Sequence, residues 1–213
     1  MVERQIMTVD VTDRGLLDAM GELPREAFVP AQVRDLAYSD ADLPITSPGP
    51  GGQGRQLVAS ATLARLVQLA APKPGDIVLD IGCGCGYSSA VLAQLVSSVV
   101  AVEDDPALAA KATETLIELD IGNVAVVGGA PSEGYPAEGP YDVIFLGGSV
   151  AEVPETLLDQ LKEDGRLVAI VGTGPDGMAV CFRRVGGAVS QRRVFSAAAP
   201  PLPGFAKPKL FQF

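Results

Sequence analysis

LDIGCGCGYSSAVLAQL, residues 79–95, sets three glycines and two cysteines between an acid and a helical segment. The residues leading into it, Ile77–Asp80, read as a short buried strand. Leu92, Leu95 and Val96 form the apolar stripe of a helix near Ser88–Val96. A strand, a glycine turn and a helix in that order let a ligand approach the backbone, because no Cβ holds it off. The ligand is the open question: a metal, a dinucleotide or something else.

A metal fits poorly. Cys83 and Cys85 are one residue apart and Cys181 lies far along the chain, whereas zinc sites pair cysteines at wider spacing and need four ligands. Small residues filling a crowded turn is the simpler reading. The dinucleotide fingerprint G-x-G-x-x-G is missed too, since Gly82, Gly84 and Gly86 run G-x-G-x-G. Two acids carry the reading further, with a glycine turn that holds no ligand as the alternative. Glu103, seventeen residues past Gly86, closes the next strand, where an acid accepts the hydroxyls of a ribose. Asp80 stands directly before the turn, where it would repel a pyrophosphate and attract a cation. S-adenosylmethionine meets both demands, with a ribose, no phosphate, an α-amino group and a sulfonium. A solvated strand end within the acidic VEDD cluster stays open as the alternative for Glu103.

Outward from this unit, short β-rich runs alternate with helical segments, the signature of a mainly parallel α/β sheet. Strands are expected at Ile77–Asp80, Val99–Glu103, Val124–Val127, Asp142–Leu146 and Arg166–Val171. Helices are expected near Ser88–Val96, Pro106–Leu119 and Pro154–Leu161, with Asp105 as the cap of the second. Gly186-Gly187 between two β-rich runs reads as a hairpin that sets one strand antiparallel. The last segment, residues 196–213, is rich in proline and apolar residues and reads as an irregular surface tail. Residues 1–72 offer helices near Thr12–Met20 and Leu57–Leu69, with the irregular LPITSPGPGGQGRQ before the second. The expectation is one domain over residues 1–213: a helical and substrate-loop region to 72, a cofactor-binding sheet over 73–195, and the tail.

With 26 acids against 16 bases in 213 residues, a nucleic-acid surface is disfavoured. The polar start reads as no signal peptide, and no apolar run approaches a membrane span. Three cysteines make no disulfide framework, so a cytoplasmic protein is expected. The chain has no histidine, which removes Ser-His-Asp and Cys-His mechanisms in their usual form.

The acid–G-x-G-x-G–helix unit resembles the class I methyltransferases. The ordered segments MVERQI, LLDAMGELPREAFVP, AYSDADLPI, VLDIGCGCGYSSAVLAQL and YDVIFLGGSVAEVPETLLDQLKEDGRLVAIVG are similar to the protein-L-isoaspartate O-methyltransferase family, from residue 1 to about 172. The resemblance implies a Rossmann-like sheet, with S-adenosylmethionine as cofactor. It also implies methyl transfer to the carboxylate of L-isoaspartyl or D-aspartyl residues in damaged proteins. Such a carboxylate, with a pKa of about 4, is already ionised at neutral pH and needs no general base. By motif, Asp80, Gly82, Gly84 and Gly86 would surround the methionine part of the donor and Glu103 would hold its ribose.

Two stretches depart from the family's pattern. Its substrate loop carries Gln-Thr-Ile-Ser-Gln-Pro, with the hydroxyl near the reacting carboxylate. Here alignment back from LVA puts Gln53 in the serine's place, and Thr46 and Ser47 are the only hydroxyls nearby. A Gln53 amide, Ser47 or backbone N–H groups would then meet the acceptor, or the loop has no chemistry. The family's adenine-site Gly-Asp-Gly is replaced so that Ala130 stands at the aspartate, with Ser132 or Glu133 as substitutes. Arg55 pairs with a substrate carboxylate or is simply solvated. Three readings follow: an isoaspartyl methyltransferase with a variant loop, a methyltransferase with another acceptor, or a non-catalytic protein that has lost the cofactor.

Overall fold

The computed structural model describes residues 1–48, 54–172 and 174–206. In chain order the helices are α1 (Arg14–Glu22), α2 (Ser60–Ala70), α3 (Tyr87–Ala93), α4 (Pro106–Glu118) and the single turn α5 (Glu155–Leu158). The strands are β1 (Leu43–Pro44), β2 (Gln56–Leu57), β3 (Ile77–Ile81), β4 (Ser98–Glu103), β5 (Val124–Gly128), β6 (Tyr141–Val150), β7 (Leu161–Val171), β8 (Met178–Val185) and β9 (Ala188–Ser196).

Seven strands form one sheet in the order β5-β4-β3-β6-β7-β8-β9. The pairs from β5 through to β7 are parallel, and β8 runs antiparallel to both β7 and β9. The chain builds outward from β3 to β5 and then returns to β3's other side with β6. The strand order therefore reverses between β3 and β6, the position where open α/β sheets leave a crevice beyond their strand ends. The glycine turn leaves β3 at that crevice.

Side chains alternate strictly across the central strands. Val78, Val143, Phe145, Val168 and Ile170 face one core, which is covered by residues of α1 to α4. Leu79, Ile81, Ile144, Leu146 and Leu167 face the other, where Leu157 of α5, Leu202 and Phe205 cover them. Among the described residues this second face carries the single α-helical turn α5, with Leu202 and Phe205 of the tail packed beside it.

The expected strands and helices are found, with shifted ends. Strand β6 runs to Val150 and β7 begins at Leu161, both longer than the apolar runs that mark them. The helix expected over Pro154–Leu161 shrinks to Glu155–Leu158, since Leu161 already pairs with Tyr141. Leu57 belongs to a short strand paired with Leu43, not to the helix. Asp13 caps α1 through Leu16 N (2.9 Å) and Asp105 caps α4 through Ala107 N (2.8 Å), which fixes both starts. The hairpin turn is Gly186-Gly187, both at positive φ, as a two-residue turn with the sheet's twist requires.

Candidate active site

Asp80, one residue before the end of β3, is fully buried. Its Oδ2 accepts from Ser88 Oγ (2.7 Å) and Ser89 Oγ (2.6 Å), both in the first turn of α3. Its Oδ1 is buried with no partner among the described residues. An acceptor left without a donor in a dry site is costly unless a ligand supplies one. Burial pushes the carboxyl up to about 6, against the two hydroxyls, which favour the charged form. A cation beside Oδ1 would bring it down again.

Glu103 closes β4 and is also buried. Oε2 accepts from Gly84 N (2.7 Å) and Oε1 from Asp105 N (3.1 Å), so the backbone on both sides fixes the carboxylate plane. Arg55 adds two parallel bonds, Nη1 to Oε1 (2.7 Å) and Nη2 to Oε2 (3.0 Å). Burial raises the Glu103 carboxyl and the guanidinium works against it. The solvated reading of Glu103 does not hold, and neither does that of Arg55, whose side chain is only 17% exposed.

Each glycine of the turn meets a different part of the chain. A Cβ on Gly82 would strike Leu202 of the tail (2.6 Å), and one on Gly84 would strike Ile45 (2.9 Å). A Cβ on Gly86 would press on Ala112 of α4 (3.1 Å). Gly86 therefore lets α3 and α4 approach closely, whereas Gly82 and Gly84 let Leu202 and Ile45 pack directly on the turn. A cavity of about 310 Å³ lies against this turn, lined by Arg55, Gly82, Gly147 and Pro200–Gly204. Cys83 and Cys85 are buried free thiols, and burial pushes Cys85 up to about 11. Among the described residues no group of His, Cys, Asp and Glu is arranged to hold a metal ion.

The tail and the β1–β2 stem form the cavity's outer wall. Ser149 N donates to Pro200 O and Leu202 N to Ser149 O (both 2.8 Å), laying the tail along the end of β6. Ile45 N donates to Arg55 O (2.9 Å) and Arg55 N to Thr46 Oγ1 (2.8 Å), closing the stem of the loop between β1 and β2. Ser47 sits exposed at the start of that loop, and Gln53 lies outside the described residues. Ala130 is exposed in the turn after β5, beside Gly129, whose N–H bonds Glu103 O (3.2 Å). Thus Asp80, Gly82, Gly84, Glu103 and Arg55 are brought together, and Ser47 is not among the residues that line the cavity. The sequence reading missed Ser88 and Ser89, although a serine pair directly after a glycine turn is a visible signal for donors aimed back at an acid.

The residues fit a cationic, ribose-bearing donor. Asp80 Oδ1 lacks a donor among the described residues, the cavity reaches the turn at Gly82, and both oxygens of Glu103 already bind a two-pronged donor of the kind a ribose diol presents. No helix among the described residues is long and apolar enough to cross a membrane.

Comparison with known proteins identifies the family. The family of protein-L-isoaspartate(D-aspartate) O-methyltransferases matches over residues 1–203. Protein-L-isoaspartate O-methyltransferase 2 of Anaeromyxobacter sp. (strain Fw109-5) is 40% identical over 177 residues, covering 83% of this chain and 70% of the relative. The protein-L-isoaspartate O-methyltransferase of Aeropyrum pernix is 39% identical, over 96% of this chain and 78% of that one. Among solved structures, a protein-L-isoaspartate O-methyltransferase superposes with a TM-score of 0.82 at 28% identity, covering 96% of this chain and 66% of that one. A Plasmodium falciparum structure in complex with S-adenosyl-L-homocysteine shares the fold, with a TM-score of 0.77 at 21% identity over 94% and 95% of the two chains. With a matching family and relatives near 40% identity across most of its length, the chain belongs to the protein-L-isoaspartate(D-aspartate) O-methyltransferases, enzymes that draw their methyl group from S-adenosylmethionine.

Proposed function

We propose that this chain methylates the carboxylate of L-isoaspartyl and D-aspartyl residues in damaged proteins, as a repair enzyme of the cytoplasm. The observation that carries the donor assignment is the buried, unpartnered Oδ1 of Asp80. It is an acceptor waiting for a charged donor such as the ammonium of S-adenosylmethionine. S-adenosylmethionine supplies a methyl on a sulfonium; a carboxylate oxygen takes the methyl, the C–S bond breaks onto sulfur, and no proton moves.

The protein's part is placement and exclusion of water. Asp80 orients the donor's amino end, Gly82 and Gly84 let it lie against backbone, and Glu103 takes the ribose. Ala130 borders the adenine end, where Ser132 or Glu133 supplies what an aspartate gives elsewhere in the family. Leu202 and the proline-rich tail close the crevice on the solvent side. Ser47 and Gln53 are the loop's candidates for hydrogen bonds to the acceptor. The absence of histidine is no obstacle, because the nucleophile is already an anion.

Ile6, Leu16 and Phe28 share a core with Val78 and Phe145, which supports the N-terminal region and the sheet working as one unit. Three free cysteines support a reducing compartment, and the acid surplus supports a protein substrate over a nucleic acid. The test is incorporation of radiolabelled methyl into an isoaspartyl peptide and its aspartyl counterpart. Label in the isoaspartyl form alone is expected. Label in neither, with S-adenosylhomocysteine still bound in calorimetry, would redirect the reading to another acceptor.

A further inference from the structure

The Arg55–Glu103 pair puts a guanidinium where the ribose belongs. Its two N–H groups reach both oxygens of Glu103 at 2.7 and 3.0 Å, the bonding pattern of two vicinal hydroxyls. Glu103 has no spare oxygen for both partners in that plane, since Gly84 N and Asp105 N hold the remaining positions. Donor and Arg55 therefore compete for one carboxylate.

We infer that Arg55 is an exchangeable occupant of the ribose site. It holds Glu103 until the donor arrives, and once displaced it binds the carboxylate of the acceptor. The proposal rests on the donor assignment above and adds an order of binding to it.

Four observations support the exchange. First, Glu103 keeps its orientation without Arg55, because the two backbone N–H bonds come from the glycine turn and from the start of α4. Second, the backbone of Arg55 is pinned to Ile45 and Thr46, so the side chain can leave without opening the loop stem. Third, Arg55 borders the cavity of about 310 Å³ and already touches the half-exposed Asp104 at 2.9 Å, a resting place on the way out. Fourth, charge drives the trade. Arg55 pairs with Glu103 and Asp104, and Glu103 in turn lies close enough to Asp80 for their charges to repel. A donor with a sulfonium and an ammonium brings positive charge to those same acids and loosens their hold on the guanidinium. The freed cation sits on the returning limb of the loop, directly before β2, where the incoming group is an anion.

The test is calorimetry with S-adenosylhomocysteine and peptide kinetics on the full chain, for wild type, Arg55→Ala and Arg55→Lys. If the site is held by Arg55 nine-tenths of the time, removing it tightens S-adenosylhomocysteine binding about tenfold. The KM for an isoaspartyl peptide at saturating donor should rise by about ten- to a hundredfold in Arg55→Ala, for one lost charge-assisted bond. kcat should change far less. Lysine, which offers a charge without the fork, should recover the peptide KM in part and leave the donor site as open as alanine does. Thermal melts on the same samples establish that each variant is folded. Donor affinity that is equal or weaker in Arg55→Ala would overturn the exchange while leaving the donor assignment in place. An unchanged peptide KM would overturn the acceptor role. No binding to wild type or to either folded variant would sink both the exchange and the donor assignment.

Discussion

The inner wall of the crevice is made by neighbours along the chain. Asp80 meets Ser88 and Ser89 eight and nine residues on, and Glu103 meets the Gly84 N–H from nineteen residues away. The outer wall is made by strangers. Arg55 reaches Glu103 across 48 residues, and Leu202 packs on Gly82 from the other end of the chain. Local contacts follow from one strand–turn–helix unit, so they form wherever that unit forms. Contacts between distant segments exist only after both have been packed on the same sheet, and each depends on everything between them. The inner wall should therefore behave as a rigid cradle and the outer wall as the part that adjusts to ligands.

The sharpest way to break the join between the walls is Arg25→Ala. Arg25 is fully buried, donates to Ala37 O (2.9 Å) and Val58 O (2.7 Å), and stacks over Tyr87 at 4.6 Å. It ties the stem of the β1–β2 loop to the first residue of α3. Its loss leaves two buried carbonyls and a cavity, and urea unfolding should show about 3–5 kcal/mol of destabilisation. A loss under about 1 kcal/mol would mean that the two walls are not coupled there.

The next test sharpens the inner wall by pH. The Asp80 carboxyl stands at about 6 when folded and at its ordinary 3.8 when unfolded. Between those values the folded chain binds more protons than the unfolded chain, so stability falls as pH rises from about 4 to 6. Asp80→Asn removes that fall. Measured against wild type, the variant should gain about 2–3 kcal/mol across the window, on the order of 1.4 kcal/mol per pKa unit, while its affinity for S-adenosylhomocysteine drops. A difference that stays flat with pH would show that Asp80 titrates normally and is not the unpartnered acid described.

Two glycines separate shape from space. Gly86 has φ 87° and faces Ala112, whereas Gly187 has φ 77° and nothing within 4 Å of the Cβ position. Gly86→Ala combines backbone strain with a clash between α3 and α4 and should cost about 2 kcal/mol. Gly187→Ala suffers the strain alone and should cost about 1 kcal/mol with no effect on donor binding. Equal losses in thermal unfolding would show that the α3–α4 approach has slack.

Much of the inner wall is legible from residues 77–105 alone. The alternation of Val78 and Leu79 gives a strand buried on both faces, the glycines give the turn, and Asp105 before Pro106 gives the next helix start. The outer wall is not legible in the same way. Leu57 continues an apolar helical pattern, yet it pairs with Leu43 once the loop stem closes. Nothing near Arg55 in sequence points at Glu103, and a proline-rich tail carries no period that would reveal its contact with Ser149.

What the sequence determined by itself is the cradle: a strand ending in an acid, a turn without side chains, a helix, and a second acid one strand later. Short-range patterning and charge suffice for these, because their partners lie within one βαβ unit. What only the tertiary structure decided is who occupies the cradle's open side. A cation from the loop stem and a leucine from the tail meet there because the reversal of strand order between β3 and β6 leaves one gap, and distant segments with matching charge and apolar surface converge to fill it.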